Sequence, residues 1–147
     1  MNSMLISACL LGVRCRYDGQ SRPLSDADIR RLREEYILIP VCPEVYGGLP
    51  TPRPPAERQG ERVVTQSGAD VTAAYLRGAE ETLRLAAVFG CRTALLKARS
   101  PSCGKGEIYD GGFCGRLVSG DGVLAERLTA AGVEIFRETE IDRLLSE

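Results

Sequence analysis

Three cysteines of this chain each follow a segment that is typical of a buried strand. Cys9 stands in LISAC, Cys42 in IPVCPE and Cys103 in LLKARSPSCG. Thiolate sulfur is the donor that soft metals and iron-sulfur clusters prefer in proteins. The chain contains no histidine, so the most common nitrogen ligand and the most common general base are both missing. Cysteines that converge without histidine therefore suit a soft metal, and proton transfer must use a carboxylate, Cys, Lys or Tyr.

An iron-sulfur cluster fits this pattern better than a structural zinc ion. Zinc sites of that kind usually rely on Cys-x-x-Cys pairs, and the sequence has none. The Cys42-Pro43 dipeptide is similar to the Cys-Pro that accompanies cluster ligands in ferredoxins. The alternative is that the three cysteines are small buried hydrophobic residues, as free cysteines often are. Their equivalent positions after strands favour the cluster, since packing alone gives no reason for that placement.

The other three cysteines are not assigned to the cluster. Cys91 follows Gly90 at a predicted helix end, and Cys114 lies in a glycine-rich turn, so both are interpreted as packing or incidental thiols. Three interpretations of Cys15, in CRYDG, are left open: a thiol that contacts the ligand cysteines without binding the metal, a spare ligand, or a buried side chain.

Strands and helices alternate along the chain, and this alternation predicts how the cysteines are positioned. Strands are predicted at residues 4–8, 36–41, 93–98 and 133–136. Helices are predicted from Ser25, from Asp70 to Gly90, at 121–131 and at 139–145. We expect a single-domain α/β fold over residues 1–147, with a mainly parallel sheet covered by helices and the cysteines at the C-terminal ends of its strands. Those ends share one edge of the sheet, so cysteines far apart in the sequence converge there.

Two segments lack the periodicity of regular structure. Residues 47–60, GGLPTPRPPAERQG, are rich in proline and glycine, so we expect an irregular loop. Loops of that length are usually functional or disordered, and its closeness to Cys42 favours a functional one. Residues 104–122 are glycine-rich, and we expect a short hairpin there around Ile108 and Tyr109.

Charge and hydropathy exclude several classes of protein. Nineteen basic and twenty acidic residues give a net charge of −1 and a pI near 5.7, and no run of Lys or Arg is long enough to follow a nucleic-acid backbone. The first apolar run, residues 4–11, is shorter than a signal sequence, and no apolar stretch approaches the roughly 20 residues of a membrane span. We therefore expect a cytoplasmic protein with reduced cysteines, no membrane association and no polynucleotide as its main partner.

Four segments together resemble the signature of a known family. SACLLG, CRYDG, PVCPEVYGGLPTPRPPAE and KARSPSCGKGEIYDGGF look like those of the thiouracil desulfurases, the TudS-like iron-sulfur desulfidases, over nearly the whole chain. The resemblance implies a 4Fe-4S cluster held by only three cysteines, Cys9, Cys42 and Cys103, with one open iron. It also implies a hydrolase that converts 4-thiouracil-type bases or nucleotides to the uracil-type product plus sulfide, without redox change.

The same resemblance assigns Glu44 and Ser100 to acid-base and substrate-polarising roles. A carboxylate suits a site without histidine, and Glu44 lies two residues beyond Cys42. The alternative for Glu44 is a solvated loop glutamate, and for Ser100 a turn residue that hydrogen-bonds its own backbone. Arg53 and Lys105 are interpreted as solvated surface charges, with a substrate phosphate as the alternative partner.

Two departures from the family pattern bear on the substrate. Cys114 stands where a smaller polar residue is expected, and relatives that act on thiolated tRNA carry an added domain that is not expected here. We therefore expect a small thiolated pyrimidine base, nucleoside or nucleotide, and the choice among these and the oligomeric state are left open. The alternative functions are a non-catalytic iron-sulfur or metal carrier, which needs no Glu44 or Ser100, and a thiol-based redox or persulfide protein, which needs two thiols that can meet.

Overall fold

The structure is a computed structural model, and it describes residues 1–146. Its strands, in chain order, are β1 (Asn2–Ser7), β2 (Tyr36–Val41), β3 (Ala56–Gln59), β4 (Arg62–Thr65), β5 (Thr93–Leu96), β6 (Glu107–Tyr109), β7 (Leu117–Ser119) and β8 (Glu134–Arg137). Its α-helices are α1 (Asp26–Glu35), α2 (Pro43–Tyr46), α3 (Thr72–Phe89), α4 (Val123–Ala130) and α5 (Ile141–Leu145). Short 3₁₀ segments lie at Ala8–Leu11 and Glu138–Glu140.

Four of these strands form one sheet in the order β2-β1-β5-β8. All three neighbouring pairs are parallel, with Leu5 opposite both Ile39 and Ala94. Neighbouring parallel strands need a connection that returns the chain to the end of the sheet at which the first strand began. Each such connection here contains a helix. The predicted α/β fold with a mainly parallel sheet is confirmed.

Helices cover both faces of the sheet. Leu5 packs in a buried cluster with residues of α3 and α4, such as Leu124. Its neighbour Met4 packs in a second cluster with residues of α1 and α5, such as Leu32. Successive residues of a strand point to opposite faces, so β1 contributes to both halves of the core. None of the helices within residues 1–146 has the length and apolar character that a membrane span needs.

The helix ends agree closely with the capping residues of the sequence. Ser25 Oγ accepts a hydrogen bond from the backbone N–H of Asp28 at 3.1 Å, as expected of an N-cap. Gly90 ends α3 with a φ of 65°, a left-handed conformation that glycine adopts without strain. Asp70, the predicted N-cap of α3, lies one residue before the observed N-cap, Val71, because the helix begins at Thr72. The N–H of Thr72 donates to Asp70 Oδ1 at 2.9 Å.

The segment 47–60 is less irregular than the sequence predicts. Its first part is an open loop, but from Ala56 the chain forms β3, which pairs with β4 in an antiparallel hairpin. The prolines of the segment end at Pro55, so the residues from Ala56 onward have the N–H groups that a hairpin ladder needs. This hairpin turns at Gly60, whose φ is 62°. The predicted hairpin around Ile108 is present as β6 and β7.

Strand β2 lies at one edge of the sheet and contains Pro40. Proline is tolerated at an edge, where its missing N–H faces away from the neighbouring strand. The carbonyl of Pro40 accepts a hydrogen bond from the hydroxyl of Tyr46 at 3.0 Å. Because Tyr46 is the last residue of α2, this bond fastens the short helix to the strand that precedes it.

Helices α2 and α3 cross in very close contact. A Cβ atom added to Gly47, just after α2, would collide with the carbonyl oxygen of Ala74, and one added to Gly78 of α3 would collide with that of Pro43. Only glycine therefore fits at these two positions. Cys42 is the N-cap residue of α2, so this crossing sets where the cysteine and the first turn of α2 lie.

Candidate active site

A cleft of about 520 Å³ opens at the carboxyl edge of the parallel sheet. Cys9, Cys42 and Cys103 all line it, so the structure brings the three predicted ligands together. Cys15 lines it as well. We call this space, with its four thiols, the cysteine cleft.

The four cleft cysteines come from different segments. Of these cysteines, Cys42 directly follows a strand. Cys9 lies in the 3₁₀ segment after β1, and Cys103 lies in the loop between β5 and β6. Cys15 lies in the loop before α1. Cys42 is half-buried and the other three are buried. The shared sheet edge explains why these positions meet, although they differ in their distance from the strands.

The other two cysteines lie outside the cleft. Cys91 is buried in the hydrophobic cluster that α3 and α4 form with the sheet, which confirms its interpretation as a packing residue. Cys114 is exposed in the loop between β6 and β7. The same chain thus carries thiols with and without a place in the cleft.

Burial makes most of the cleft thiols hard to ionise when no metal binds them. Burial raises the pKa of Cys9 to about 11 and the pKa of Cys103 well above its usual value. The side-chain hydrogen bond between Cys42 and Cys15 raises the pKa of Cys42, to which burial adds, and lowers the pKa of Cys15. Metal binding requires the thiolates, so it must displace these protons.

The donor set of the cleft fits an iron-sulfur cluster by its chemistry. Sulfur is the donor that iron-sulfur clusters take from proteins, and the cleft offers four thiols.

Glu44 lies in the first turn of α2 and lines the cleft. Its side chain is 14% exposed, and its Oε2 atom accepts a hydrogen bond from Arg53 Nη2 at 3.0 Å. Burial raises the pKa of Glu44, while the charge and the hydrogen bond of Arg53 oppose that rise. The Sγ atom of Cys42 lies 4.0 Å from the same Oε2. The alternative of a solvated loop glutamate is wrong, because this carboxylate is buried and paired.

Ser100 holds the turn that carries Cys103. Its Oγ accepts hydrogen bonds from the backbone N–H groups of Ser102 at 3.0 Å and of Cys103 at 3.1 Å. The same hydroxyl donates to Oε1 of Glu44 at 3.5 Å. The turn-forming interpretation of Ser100 is confirmed, and the hydroxyl also reaches the carboxylate. The two side chains singled out for chemistry therefore meet in the cleft.

Arg53 is not a solvated surface charge, contrary to the interpretation from the sequence. It is 8% exposed, and its Nη2 atom donates to the carbonyl of Cys15 at 2.9 Å as well as to Glu44. Its Nη1 atom donates to the carbonyl of Pro50 at 3.2 Å and to Thr51 Oγ1 at 3.1 Å. The guanidinium thus joins the proline-rich loop, the Cys15 loop and α2. It is committed to these partners rather than to a substrate phosphate.

Lys105 is also paired within the chain and does not line the cleft. Its Nζ atom lies 3.1 Å from Asp121 Oδ2 and donates to Thr129 Oγ1 at 3.1 Å. Asp121 Oδ1 in turn accepts from the backbone N–H of Gly106 at 2.7 Å. This lysine fastens its loop to α4, so the phosphate interpretation has no support here.

Several cleft residues were not predicted as site residues. Ser7 Oγ accepts a hydrogen bond from the backbone N–H of Lys97 at 2.9 Å, and the Ser7 side chain opposes the burial that raises the pKa of Cys103. Arg16 lines the cleft with a buried Nε atom that makes no hydrogen bond within residues 1–146. Phe113 lines it from the loop between β6 and β7. The available signal was their place in the segments SACLLG, CRYDG and EIYDGGF.

Comparisons with known proteins agree with this arrangement. The family model described as 2-thiouracil desulfurase matches residues 4–140. The uncharacterized protein YbbK of Bacillus subtilis (strain 168) is 40% identical over 152 residues, which cover 97% of this chain and 99% of YbbK. Among solved structures, the 4Fe-4S-dependent thiouracil desulfidase TudS matches with a TM-score of 0.94 and 50% identity, over 98% of this chain and 95% of that one. The predicted family resemblance is confirmed.

Proposed function

Because the chain belongs to the 2-thiouracil desulfurase family, we propose that it is a thiouracil desulfidase that acts on small thiolated pyrimidines. Its substrates are 4-thiouracil-type bases, nucleosides or nucleotides, and its products are the uracil-type compound and sulfide. The likeness to the desulfidase TudS and the sulfur-rich cleft support this assignment. The nearly balanced charge and the absence of a basic run argue against a polynucleotide substrate.

The proposed reaction is a hydrolysis without electron transfer. Water supplies the oxygen atom that replaces sulfur on the ring carbon, so a carbon-oxygen bond forms and the carbon-sulfur bond breaks. The two protons of that water balance the departing sulfide, and the substrate neither gains nor loses electrons. The chain must therefore position the ring, move a proton and accommodate the leaving sulfur.

Cys9, Cys42 and Cys103 would hold a 4Fe-4S cluster through their sulfur atoms, leaving one iron open. When bound, such a cluster supplies a Lewis acid for the soft thiocarbonyl sulfur. Cys15 stays outside the ligand set, and its carbonyl accepts a hydrogen bond from the Cys42 thiol at 3.7 Å. The burial of three of these four thiols keeps bulk water away from the ligands.

Glu44 is the proton-transfer residue of this proposal. Arg53 occupies its Oε2 atom, so Oε1 is the oxygen that takes a proton from the attacking water. Ser100 donates to Oε1 in the resting site and can turn its hydroxyl to a polar atom of the substrate. The proton held at Oε1 is then available to the departing sulfur. This division of labour needs no histidine, in agreement with the composition.

The observation that carries the proposal is the meeting of Cys9, Cys42 and Cys103 with Glu44 and Ser100 in one cleft. The test is to purify the protein without oxygen, reconstitute it with iron and sulfide, and follow the near-ultraviolet absorbance of 4-thiouracil. We expect that absorbance to disappear while sulfide is released.

The matched variants are Cys103→Ala, inside the cleft, and Cys114→Ala, outside it. We expect Cys103→Ala to lose iron and turnover, and Cys114→Ala to keep both. Wild-type protein that binds iron but leaves 4-thiouracil intact would contradict the enzyme assignment and favour the carrier function. Equal turnover by Cys103→Ala would remove this cysteine from the ligand set.

The closeness of Cys15 and Cys42 favours a thiol-based redox protein as the second candidate, since the Cys42 thiol donates to the carbonyl of Cys15 at 3.7 Å. Two neighbouring thiols can form a disulfide under a mild oxidant. That candidate requires full activity in iron-free protein together with a Cys15–Cys42 disulfide detectable by mass spectrometry. The desulfidase proposal expects iron-free protein to be inactive toward 4-thiouracil.

We also propose that the protein forms one α/β iron-sulfur domain over residues 1–147 and works in the cytoplasm. Cysteines from both halves of the chain line the same cleft, which supports one domain. A reducing compartment keeps ligand thiols available for iron, which supports the location.

A further inference from the structure

Two residues of the cysteine cleft have an unusual backbone. Among the non-glycine residues of 1–146, positive φ values occur at Arg99 (70°) and Phe113 (56°), and both residues line the cleft. The left-handed region is costly for a bulky side chain, so such residues persist only where the surroundings enforce them. Strain of this kind concentrates at functional sites. Phe113 therefore calls for a physical explanation beyond loop formation.

The surroundings that hold Phe113 come from hairpin β3–β4. Glu57 Oε1 accepts hydrogen bonds from the backbone N–H of Gly111 at 2.9 Å and of Phe113 at 3.2 Å. Gln59 Nε2 donates to the carbonyl of Gly111 at 2.8 Å. A Cβ atom on Gly111 would lie 2.9 Å from the carbonyl oxygen of Arg58, so the loop reaches β3 only with glycine there. One hairpin thus clamps the tip of the other and fixes the backbone from which the Phe113 side chain extends.

The other aromatic residues of the cleft are less free to receive a ligand. Tyr75 is 4% exposed and belongs to the core beneath the cleft. The ring of Tyr17 already has the Arg16 guanidinium 5.6 Å from its centre. Tyr109 lies in β6, opposite Leu117 of β7. Phe113 is partly buried and comes from a clamped loop rather than a strand ladder.

We propose that Phe113 is the residue on which the flat ring of the substrate stacks, and that Glu57 is the positioning residue that holds it there. This inference rests on the proposed desulfidase function. A pyrimidine offers a π-face whatever its substituents, and an aromatic side chain binds such a face in offset-stacked geometry. The site should accordingly prefer aromatic thiocarbonyl rings to acyclic thioamides, which have no ring face, with the sugar or phosphate of larger substrates outside the stack.

The absence of tryptophan in this chain allows a direct test of the stack. Phe113→Trp introduces a single tryptophan, which is excited at wavelengths longer than those tyrosine absorbs, and uracil, the unreactive product, is the probe. In cluster-loaded protein, uracil should change the tryptophan emission in a saturable way. The matched control is Phe89→Trp, since Phe89 is 48% exposed and lies at the end of α3 outside the cleft, and its emission should not respond. An unresponsive Phe113→Trp, at uracil concentrations that inhibit 4-thiouracil consumption, overturns the proposal.

Kinetics of a second variant keep the test decisive if tryptophan is not tolerated. Phe113→Leu keeps an apolar side chain without an aromatic face, and we expect its KM for 4-thiouracil to rise roughly five- to a hundredfold. Its iron content and cluster spectrum should match those of wild type, and Phe113→Tyr should restore most of the affinity. Glu57→Gln should raise KM with little change in kcat, because it loosens the loop without touching the reacting atoms.

The two proposals fail in different ways. An unchanged KM in Phe113→Leu, with normal turnover by wild type, overturns the stacking role and leaves the desulfidase function standing. Absence of turnover in wild type contradicts the desulfidase function, whereas a saturable response of Phe113→Trp to uracil would still support a stacking site for a pyrimidine ring.

Discussion

The guanidinium of Arg53 donates to Glu44 Oε2 across 3.0 Å, and both side chains are buried at the base of the cysteine cleft. This ion pair fixes which carboxylate oxygen is left for chemistry. It also ties the proline-rich loop to α2, since Arg53 is held by the carbonyl of Pro50 at 3.2 Å. The pair is therefore a structural element as well as part of the proposed catalytic apparatus.

Arg53→Met should lower the free energy of unfolding by about 3–5 kcal/mol, because it leaves the buried carboxylate of Glu44 without its partner. Chemical denaturation of the cluster-free protein measures this. Arg62→Met is the matched control, since the Arg62–Asp70 pair is exposed and should contribute less than about 1 kcal/mol. Equal losses of unfolding free energy in the two variants would show that the buried Arg53–Glu44 pair stabilises the fold no more than the exposed pair does.

Glu44→Gln should keep the cluster and lose turnover by about 10²- to 10⁴-fold, the usual contribution of a positioned acid-base group. The amide has similar shape but cannot take a proton from water. The cluster absorbance and the rate of 4-thiouracil loss measure the two effects separately. Glu81→Gln, on the exposed face of α3, is the control and should behave as wild type. Full activity in Glu44→Gln would remove this residue from the mechanism.

Cys15→Ser should retain iron and most of the turnover, whereas Cys9→Ser should lose both. The proposed ligand set leaves Cys15 beside Cys42, and the carbonyl of residue 15 that accepts from the Cys42 thiol at 3.7 Å is kept in the serine variant. Iron analysis after anaerobic reconstitution measures the difference. Loss of iron in Cys15→Ser with retention in Cys9→Ser would exchange the roles of these two cysteines.

Gly78→Ala should displace α2 and reduce both stability and turnover. The added Cβ collides with the carbonyl oxygen of Pro43, next to Cys42, and overpacking of this kind costs about 1–3 kcal/mol. Gly47→Ala should have the same effect from the other side of the crossing, because it meets Ala74. Thermal unfolding and iron retention check this, and wild-type behaviour of both variants would show that the helices separate easily.

Protonation of Glu140 in acid should make the folded state less stable. Burial alone would raise its pKa, but the hydrogen bonds from the backbone and guanidinium of Arg137 outweigh burial and hold the pKa below its usual value. A lowered folded-state pKa means that this stability is present above the pKa of the unfolded chain, about 4.3, and is lost as the pH falls further. At pH 7 the midpoint of urea unfolding should therefore be higher for wild type than for Glu140→Gln. This difference should shrink by pH 3. A difference that persists unchanged in acid would contradict this linkage.

The sequence predicts the sheet and the meeting of the cysteines because both follow from local patterns. Buried strands that alternate with helices imply parallel pairing, and parallel pairing puts Cys9, Cys42 and Cys103 at one edge. The burial of Arg53 could not be predicted in the same way. Its partner Cys15 lies 38 residues away, and a proline-rich loop has no periodicity that shows which side chain points inward.

The hairpin strand β3 and the contact between Glu57 and Phe113 do not follow from the sequence, for related reasons. The prolines before Ala56 dominate the pattern of segment 47–60, although their influence ends where the residues regain an N–H group. The backbone conformation of Phe113 is held by Glu57 of a different hairpin, so no local property of EIYDGGF reveals it.

Pro40 also bears on whether the sheet can grow. An exposed edge strand normally offers alternating donors and acceptors to any other strand that approaches, which invites aggregation. At Pro40 the donor is missing and the acceptor is already taken by the hydroxyl of Tyr46, at 3.0 Å. An incoming strand would find a gap in the ladder near the C-terminal end of β2. The residue pair that fastens α2 to the sheet thus also discourages edge-to-edge polymerisation.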